Sequence, residues 1–304
     1  MTSGAPGDVV TQVEQALETW SGGPRRLAQL DPVGGGCVNS AARVTTDQGE
    51  TWFLKWNARS PRNMFEAEAD GLRALAAVRA LRVPAVLAVG NGDGAPPWLL
   101  LEYVAEGRAG PDYTAALAAG LAALHRTARG GWGWECDNFI GSLPQQNPAA
   151  ATWGDLWRDA RLEPQLERAY RQGHFAGQRR ALLERVIERT RGLLGEVEDE
   201  GPSLLHGDLW SGNVYPDGEG RPVLIDPAVY QGHREVDLAM TELFGGFASG
   251  WPGAYEDAWP VAEGYRAFRR PLYQLYYLLV HVNLFGTSYE AGCLAAARGA
   301  LREV

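Results

Sequence analysis

Leu205, His206, Gly207, Asp208, Leu209, Trp210, Ser211, Gly212 and Asn213 follow one another, and the apolar run Val223, Leu224, Ile225 then ends in Asp226. A carboxylate in a loop, a carboxamide five residues on and a second carboxylate closing the next strand make a site for phosphoryl transfer. Asp208 can accept or orient a hydroxyl proton. Asn213 and Asp226 carry the hard oxygens that Mg²⁺ prefers. Such chemistry needs mainly positioning and charge neutralisation, so three oxygen-bearing side chains around nucleotide phosphates suffice. The loop by itself also fits a capping or Asx-turn arrangement, the lesser of the two readings; the carboxylate at the end of the following strand argues against it.

Three upstream features stand where such a site needs them. Gly34, Gly35 and Gly36, followed by Cys37, Val38, Asn39 and Ser40, separate two expected strands. Backbone N–H groups of such a turn can cradle phosphates, although a plain hairpin turn has the same composition. Lys55 lies in an apolar strand, between Leu54 and Trp56. The chain has 28 basic residues, of which 27 are arginine, so Lys55 is its one lysine. An unpaired charge is costly to bury, so Lys55 is either a snorkelling edge residue or a point-charge ligand to phosphates. Glu68, on the helix after that strand, is the preferred partner for Lys55. Glu66 is the rival, and both also suit the start of a helix electrostatically.

Composition removes other classes. A length of 304 residues fits two lobes, and 45% apolar with 21% charged residues is globular, not fibrous or disordered. A net charge of −9 argues against nucleic acid as the main partner. Three widely spaced cysteines argue against a disulfide scaffold or zinc site and for a reducing compartment. The first residues lack the pattern of a signal peptide, and the best apolar run, residues 271–285, is broken by Gln274, His281 and Asn283. The expectation is a cytoplasmic protein with no membrane span.

Hydrophobic periodicity divides the chain at residues 102–107. Before it, the pattern reads as a helix capped by Asp8 with Val9, Val10, Val13, Leu17 and Trp20 on its stripe; three antiparallel strands within 27–57; a helix opened by Pro61 and running to 79 with Phe65, Ala69, Leu72, Leu75 and Ala76 inward; and strands at 83–90 and 98–103. After it come helices at 111–129, 152–171, 177–198 and a group within 236–302, with one strand pair at 204–226. The expected class is α+β, with residues 1–103 as an antiparallel-sheet N-lobe and 104–304 as a helical C-lobe.

The order glycine-rich turn, strand lysine, helix glutamate, HGDLW…N and strand aspartate resembles the small-molecule branch of the bilobal protein-kinase-like fold, which includes aminoglycoside phosphotransferases and choline kinases. The words GGGCVNSAARV, FLKWN, MFEAEADGLRAL, DNFIGSLPQQN, HGDLWSGNV and YYLLVHVNLFG narrow the resemblance to the fructosamine kinase (ketosamine 3-kinase) family, from about Gly34 to Gly286. The resemblance implies Asp208 as catalytic base, Asn213 and Asp226 as metal ligands, and Lys55 with Glu68 as positioners of the ATP phosphates. It implies Glu102, Tyr103 and Val104 as a hinge reading adenine through backbone groups, and Trp210 facing the sugar. The implied reaction is ATP- and Mg²⁺-dependent phosphorylation of the 3-hydroxyl of a ketosamine, free or on a glycated protein amine. Elimination of the 3-phosphate then frees the amine, a deglycation repair. Two departures from protein kinases matter: Pro227 and Ala228 follow Asp226, and Gly207, not an arginine, precedes Asp208. A phosphorylation-controlled activation loop is therefore not expected.

Other positions carry two readings each. Asp237 supports the Asp208 loop or caps a helix. His206 braces that loop, and His125 reads as a packed helix histidine. His281 and Asn283, polar in an apolar helix, face the acceptor or form a structural network. Tyr273, Tyr276, Tyr277 and Phe285 read as core. For Cys37 the resemblance implies redox sensitivity, the alternative being an inert small residue. The rival activity is phosphorylation of an aminoglycoside or other amino alcohol or sugar, for which Glu256, Asp257 and Glu263 are available; a pseudoenzyme is disfavoured because Lys55, Asp208 and Asp226 are all present.

Overall fold

The protein is described from a computed structural model, which covers residues 5–34, 39–128 and 130–302. Gly35, Gly36 and Cys37 of the glycine-rich turn lie outside the described residues.

The first lobe is a twice-covered sheet. Helix α1 (Gly7–Ser21) begins after Pro6 and stops where Gly22 turns left-handed at φ 72°. Asp8 sits in its first turn and does not cap it; Trp20 is 53% exposed, packed edge-on against Trp52. Strands β1 (Leu27–Pro32), β2 (Ser40–Thr46) and β3 (Thr51–Trp56) precede helix α2 (Met64–Val78), and β4 (Val86–Gly90) and β5 (Trp98–Glu102) follow it. Pro61 lies in the turn before α2, where its carbonyl accepts from Met64 N. The five strands pair antiparallel in the order β1-β2-β3-β5-β4.

Alternation along β3 decides which side each residue serves. Leu54 and Trp56 pack with Ala42, Val44, Trp98 and Leu100 against Val9, Val13 and Leu17 of α1. Phe53, Leu99 and Leu101 face Phe65, Ala69 and Leu72 of α2. Lys55 shares the parity of Phe53 and therefore the α2 side.

The second lobe contains α3 (Tyr113–His125), β6 (Asn138–Ile140), β7 (Leu143–Gln145), α4 (Trp153–Trp157), α5 (Glu163–Arg171), α6 (Gln178–Leu194), β8 (Ser203–Leu205), β9 (Val214–Pro216), β10 (Pro222–Leu224), β11 (Tyr230–Gly232), α7 (Glu235–Thr241), α8 (Trp251–Ala258), α9 (Arg270–Phe285) and α10 (Glu290–Ala300). A π turn at Arg158–Leu162 divides the expected single helix into α4 and α5. The expected one strand pair is three: β6 with β7, β8 with β11, and β9 with β10. Trp153, Trp157, Tyr273, Tyr276 and Tyr277 fill the core, whereas Phe285, expected inside, is 50% exposed at the last turn of α9. Among the described residues no helix is long and apolar enough to cross a membrane.

Candidate active site

Lys55 reaches two carboxylates at once. Its Nζ donates to Glu68 Oε1 at 2.7 Å and to Asp226 Oδ1 at 2.8 Å, and its side chain is 6% exposed. Burial alone would lower the pKa of this ammonium, but the charges of Asp226 and Glu68 outweigh it, and the net direction is upward. Burial also holds the Glu68 carboxyl above its ordinary value, against the pull of Lys55. Glu66 is exposed and takes no part.

Asp226 follows β10 with a left-handed backbone, φ 53°, which is uncommon for a residue with a Cβ. Ile225 N donates to Asn213 O at 3.1 Å, so this strand end is tied to the loop bearing Asn213. Asn213 Nδ2 donates to Asp208 O at 2.8 Å and lies 3.3 Å from Asp208 Oδ2. Asp208 is half-buried, and its carboxyl is pushed up to about 7, first by burial and then by the charge of Asp226, against the Asn213 hydrogen bond.

A fully buried carboxylate shapes the Asp208 loop. Asp237, in the first turn of α7, accepts from His206 N at 2.7 Å and Gly207 N at 2.9 Å. His125 Nε2 lies 3.1 Å from the same carboxylate, and its Nδ1 lies 2.8 Å from Tyr255 Oη. Tyr277 Oη donates to Gly207 O at 2.8 Å. Gly207 adopts φ 83°, and a Cβ there would meet Ala228 O at 2.0 Å, so only glycine lets the loop lie against the segment between Asp226 and β11. His206 pairs its Nε2 with Ile225 O at 2.9 Å and takes Asp208 N on Nδ1 at 3.2 Å, while burial lowers its pKa. It is placed as a brace. Behind Asp226, Asn138 donates to Val229 O and Gln145 to Ala228 O, while Tyr276 Oη donates to Gln145 Oε1.

The remaining candidates divide. Trp210 is 37% exposed beside the loop, its indole lying over Gly212. Glu102 ends β5 with its carboxylate on Arg82, and Val104 O accepts from Tyr215 Oη at 3.1 Å, so the hinge backbone is partly engaged already. Gly34 is described and lies after β1. His281 Nδ1 donates to Tyr277 O at 2.8 Å, and its ring packs 4.6 Å from that of Phe244. Asn283 does not accompany it: Nδ2 donates to Gln165 O and Oε1, joining α9 to α5. Two residues on an α-helix differ by about 200°, so His281 and Asn283 cannot share a face. Of the carboxylates offered to an aminoglycoside, Glu256 is committed to Arg266. His125 and Tyr277, read from sequence as packing residues, hold the loop; a polar atom required to pair once buried was the available signal.

Comparison with known proteins agrees with this architecture. The family model for fructosamine kinase matches residues 9–302. A probable ketoamine kinase of Synechocystis is 40% identical over 280 residues, covering 91% of this chain and 92% of its own. The chloroplastic protein-ribulosamine 3-kinase of Oryza sativa subsp. indica is 36% identical over 299 residues, 95% of this chain and 84% of that protein. The crystal structure of a putative fructosamine-3-kinase from Thermobifida fusca superposes with a TM-score of 0.85 at 35% identity, covering 96% of this chain and 99% of that one. With the family's model spanning nearly its whole length, this chain belongs to the fructosamine kinase family.

Proposed function

We propose that this protein transfers the γ-phosphoryl group of ATP to the 3-hydroxyl of a ketosamine, either a small molecule or an adduct on a protein amine. The observation that carries the reading is the meeting of Lys55, Glu68 and Asp226, with Asp208 alongside; we place the division between the lobes after Tyr103. Lys55, oriented by Glu68, neutralises phosphate charge. The hinge at Glu102, Tyr103 and Val104 receives adenine. Gly34 and its neighbours contribute to covering the phosphates.

Asp208 takes the proton of the 3-hydroxyl as its oxygen bonds to the γ-phosphorus and the bond from phosphorus to the bridging oxygen breaks, releasing ADP. A carboxyl poised near neutral pH suits that exchange. Asn213 and Asp226 fit Mg²⁺ by donor chemistry. The Asn213 Nδ2 is occupied by Asp208 O, leaving its carbonyl oxygen as ligand, and Asp226 spends one oxygen on Lys55 and is 43% exposed. When bound, the ion would offset charge on the β- and γ-phosphates. Trp210 gives the sugar an exposed aromatic face, and His281 on α9 is the remaining acceptor candidate; Asn283 is withdrawn. His206 and Asp237 hold the loop.

An ATP-consumption panel over fructosamines, ribulosamines, kanamycin and choline tests the reading, with phosphorus NMR locating the new ester. Turnover on ketosamines at O3 is expected. Turnover on kanamycin or choline with none on ketosamines would overturn it.

A further inference from the structure

Arg82 sits in the connection between α2 and β4 and touches the end of β5, the turn between β9 and β10, and the end of β10. Its Nη2 donates to Glu102 Oε1 at 2.8 Å, at the last residue of β5 where the hinge begins. Its Nη1 donates to Asp217 Oδ2 at 2.9 Å, in the turn between β9 and β10. Its carbonyl accepts from Leu224 N at 2.9 Å, two residues before Asp226. Asp217 is itself fixed, 3% exposed and accepting from the backbone N–H groups of Glu219 and Arg221 at 2.9 Å each.

The hinge closes against the same turn. Gly107 N donates to Pro216 O at 2.8 Å, and a Cβ on Gly107 would meet Asp217 O at 2.2 Å. Tyr215 Oη holds Val104 O. The hinge and the strand that leads to Asp226 are thus registered to each other through the Arg82 guanidinium and its own carbonyl, alongside the Gly107–Pro216 and Tyr215–Val104 hydrogen bonds. The two carboxylates are taken by two different nitrogens of the guanidinium fork, a spacing that the single nitrogen of an ammonium at this position does not reproduce.

We propose that Arg82 is a positioning residue that sets the spacing between the adenine hinge and Asp226, and so the fit of the whole nucleotide. The proposal rests on the nucleotide site assigned above. Arg82 is one-third exposed, and ion pairs of that kind add little net stability. Its loss should therefore appear in nucleotide affinity more than in folding.

The test compares the parent with Arg82→Met and Arg82→Lys. Binding of the Mg²⁺ complex of a non-hydrolysable ATP analogue is measured directly, with KM for ATP, KM for a ketosamine, kcat and Tm alongside. Arg82→Met should bind nucleotide about tenfold more weakly, with KM for ATP rising in step and KM for the ketosamine within about twofold. Arg82→Lys, able to satisfy one carboxylate, should fall between. Parent-like nucleotide affinity in Arg82→Met, whatever its Tm, overturns the proposal. If that variant does not fold, parent-like affinity in Arg82→Lys overturns it. A parent that binds nucleotide but phosphorylates no ketosamine refutes the proposed substrate and leaves the Arg82 comparison readable from binding alone.

Discussion

Lys55 Nζ lies 2.8 Å from Asp226 Oδ1 although 171 positions separate the two residues. One comes from the central strand of the sheet and the other from a residue of left-handed backbone after a short strand of the second lobe, so their ion pair joins the two lobes. An ammonium suits this junction because it offers three donors from a single point. Lys55→Arg should reduce kcat/KM for ATP by about a hundredfold or more, since a planar fork cannot occupy the same space between Glu68 and Asp226. Steady-state kinetics with the ketosamine held saturating checks this, and near-parent values would mean that Lys55 is dispensable to phosphate binding.

Asp208→Asn separates catalysis from stability. Loss of the proton acceptor should lower kcat by about 10²–10⁴-fold while nucleotide binding persists. The parent carboxyl is raised to about 7 in the folded state from an ordinary value near 4, so the folded protein holds a proton that the unfolded chain releases. That destabilises the parent progressively as pH rises from about 4 to 7, and fully above. Without nucleotide or Mg²⁺, the variant should gain Tm over the parent at about pH 8 and lose that gain toward pH 5. A pH-independent difference between the two melting curves would contradict the burial of Asp208.

Glu235→Ala should be among the more damaging single changes. Glu235 and Arg269 are wholly buried and paired twice, Arg269 Nε to Oε2 at 2.7 Å and Nη2 to Oε1 at 2.8 Å. Removing the acid strands a buried cation and should cost about 3–5 kcal/mol. Glu235 also opens α7, which carries Asp237, so the damage reaches the Asp208 loop. Urea unfolding is the check, and a loss below about 1 kcal/mol would show that the guanidinium finds another partner.

His233 sets an acid limit. Burial first, then the charges of Arg234 and Arg269, hold its pKa well below the ordinary value, so it stays neutral when folded. The unfolded chain protonates it below about pH 6.5, and stability present above that value is lost as pH falls. His233→Gln should therefore gain stability relative to the parent on acidification from about pH 7.5 to 5.5. Parallel stability curves for the two proteins would exclude a buried neutral imidazole here.

The pairing of Lys55 with Glu68 was legible because a lone lysine in an apolar strand had to find an acid, and periodicity offered a helix to supply one; the contact of Lys55 with Asp226 was not. The five-strand sheet was legible because its strands are long enough to alternate. Three-residue strands such as Ser203–Leu205 and Tyr230–Gly232 carry no such period and exist through tertiary contact, so two strand pairs leave no mark in the sequence. The π turn at Arg158–Leu162 leaves no mark in composition. Of the two readings of Asn283 the structural network is the one seen, and the sequence left the choice open because apolar surroundings demand a partner without saying on which side it lies. Arg82 gave no signal, since Asp217 stands 135 positions away.

The burial of the only lysine has a consequence for the protein's own durability. Reducing sugars condense with unprotonated, accessible amines, and Lys55 is neither: it is enclosed, ion-paired and held in its charged form. All other basic side chains are guanidinium or imidazole groups. An enzyme proposed to work among sugar-damaged proteins thus presents no side-chain ammonium on its surface for glucose or ribose to attack, and its lysine should stay unmodified in sugar concentrations that brown an ordinary protein.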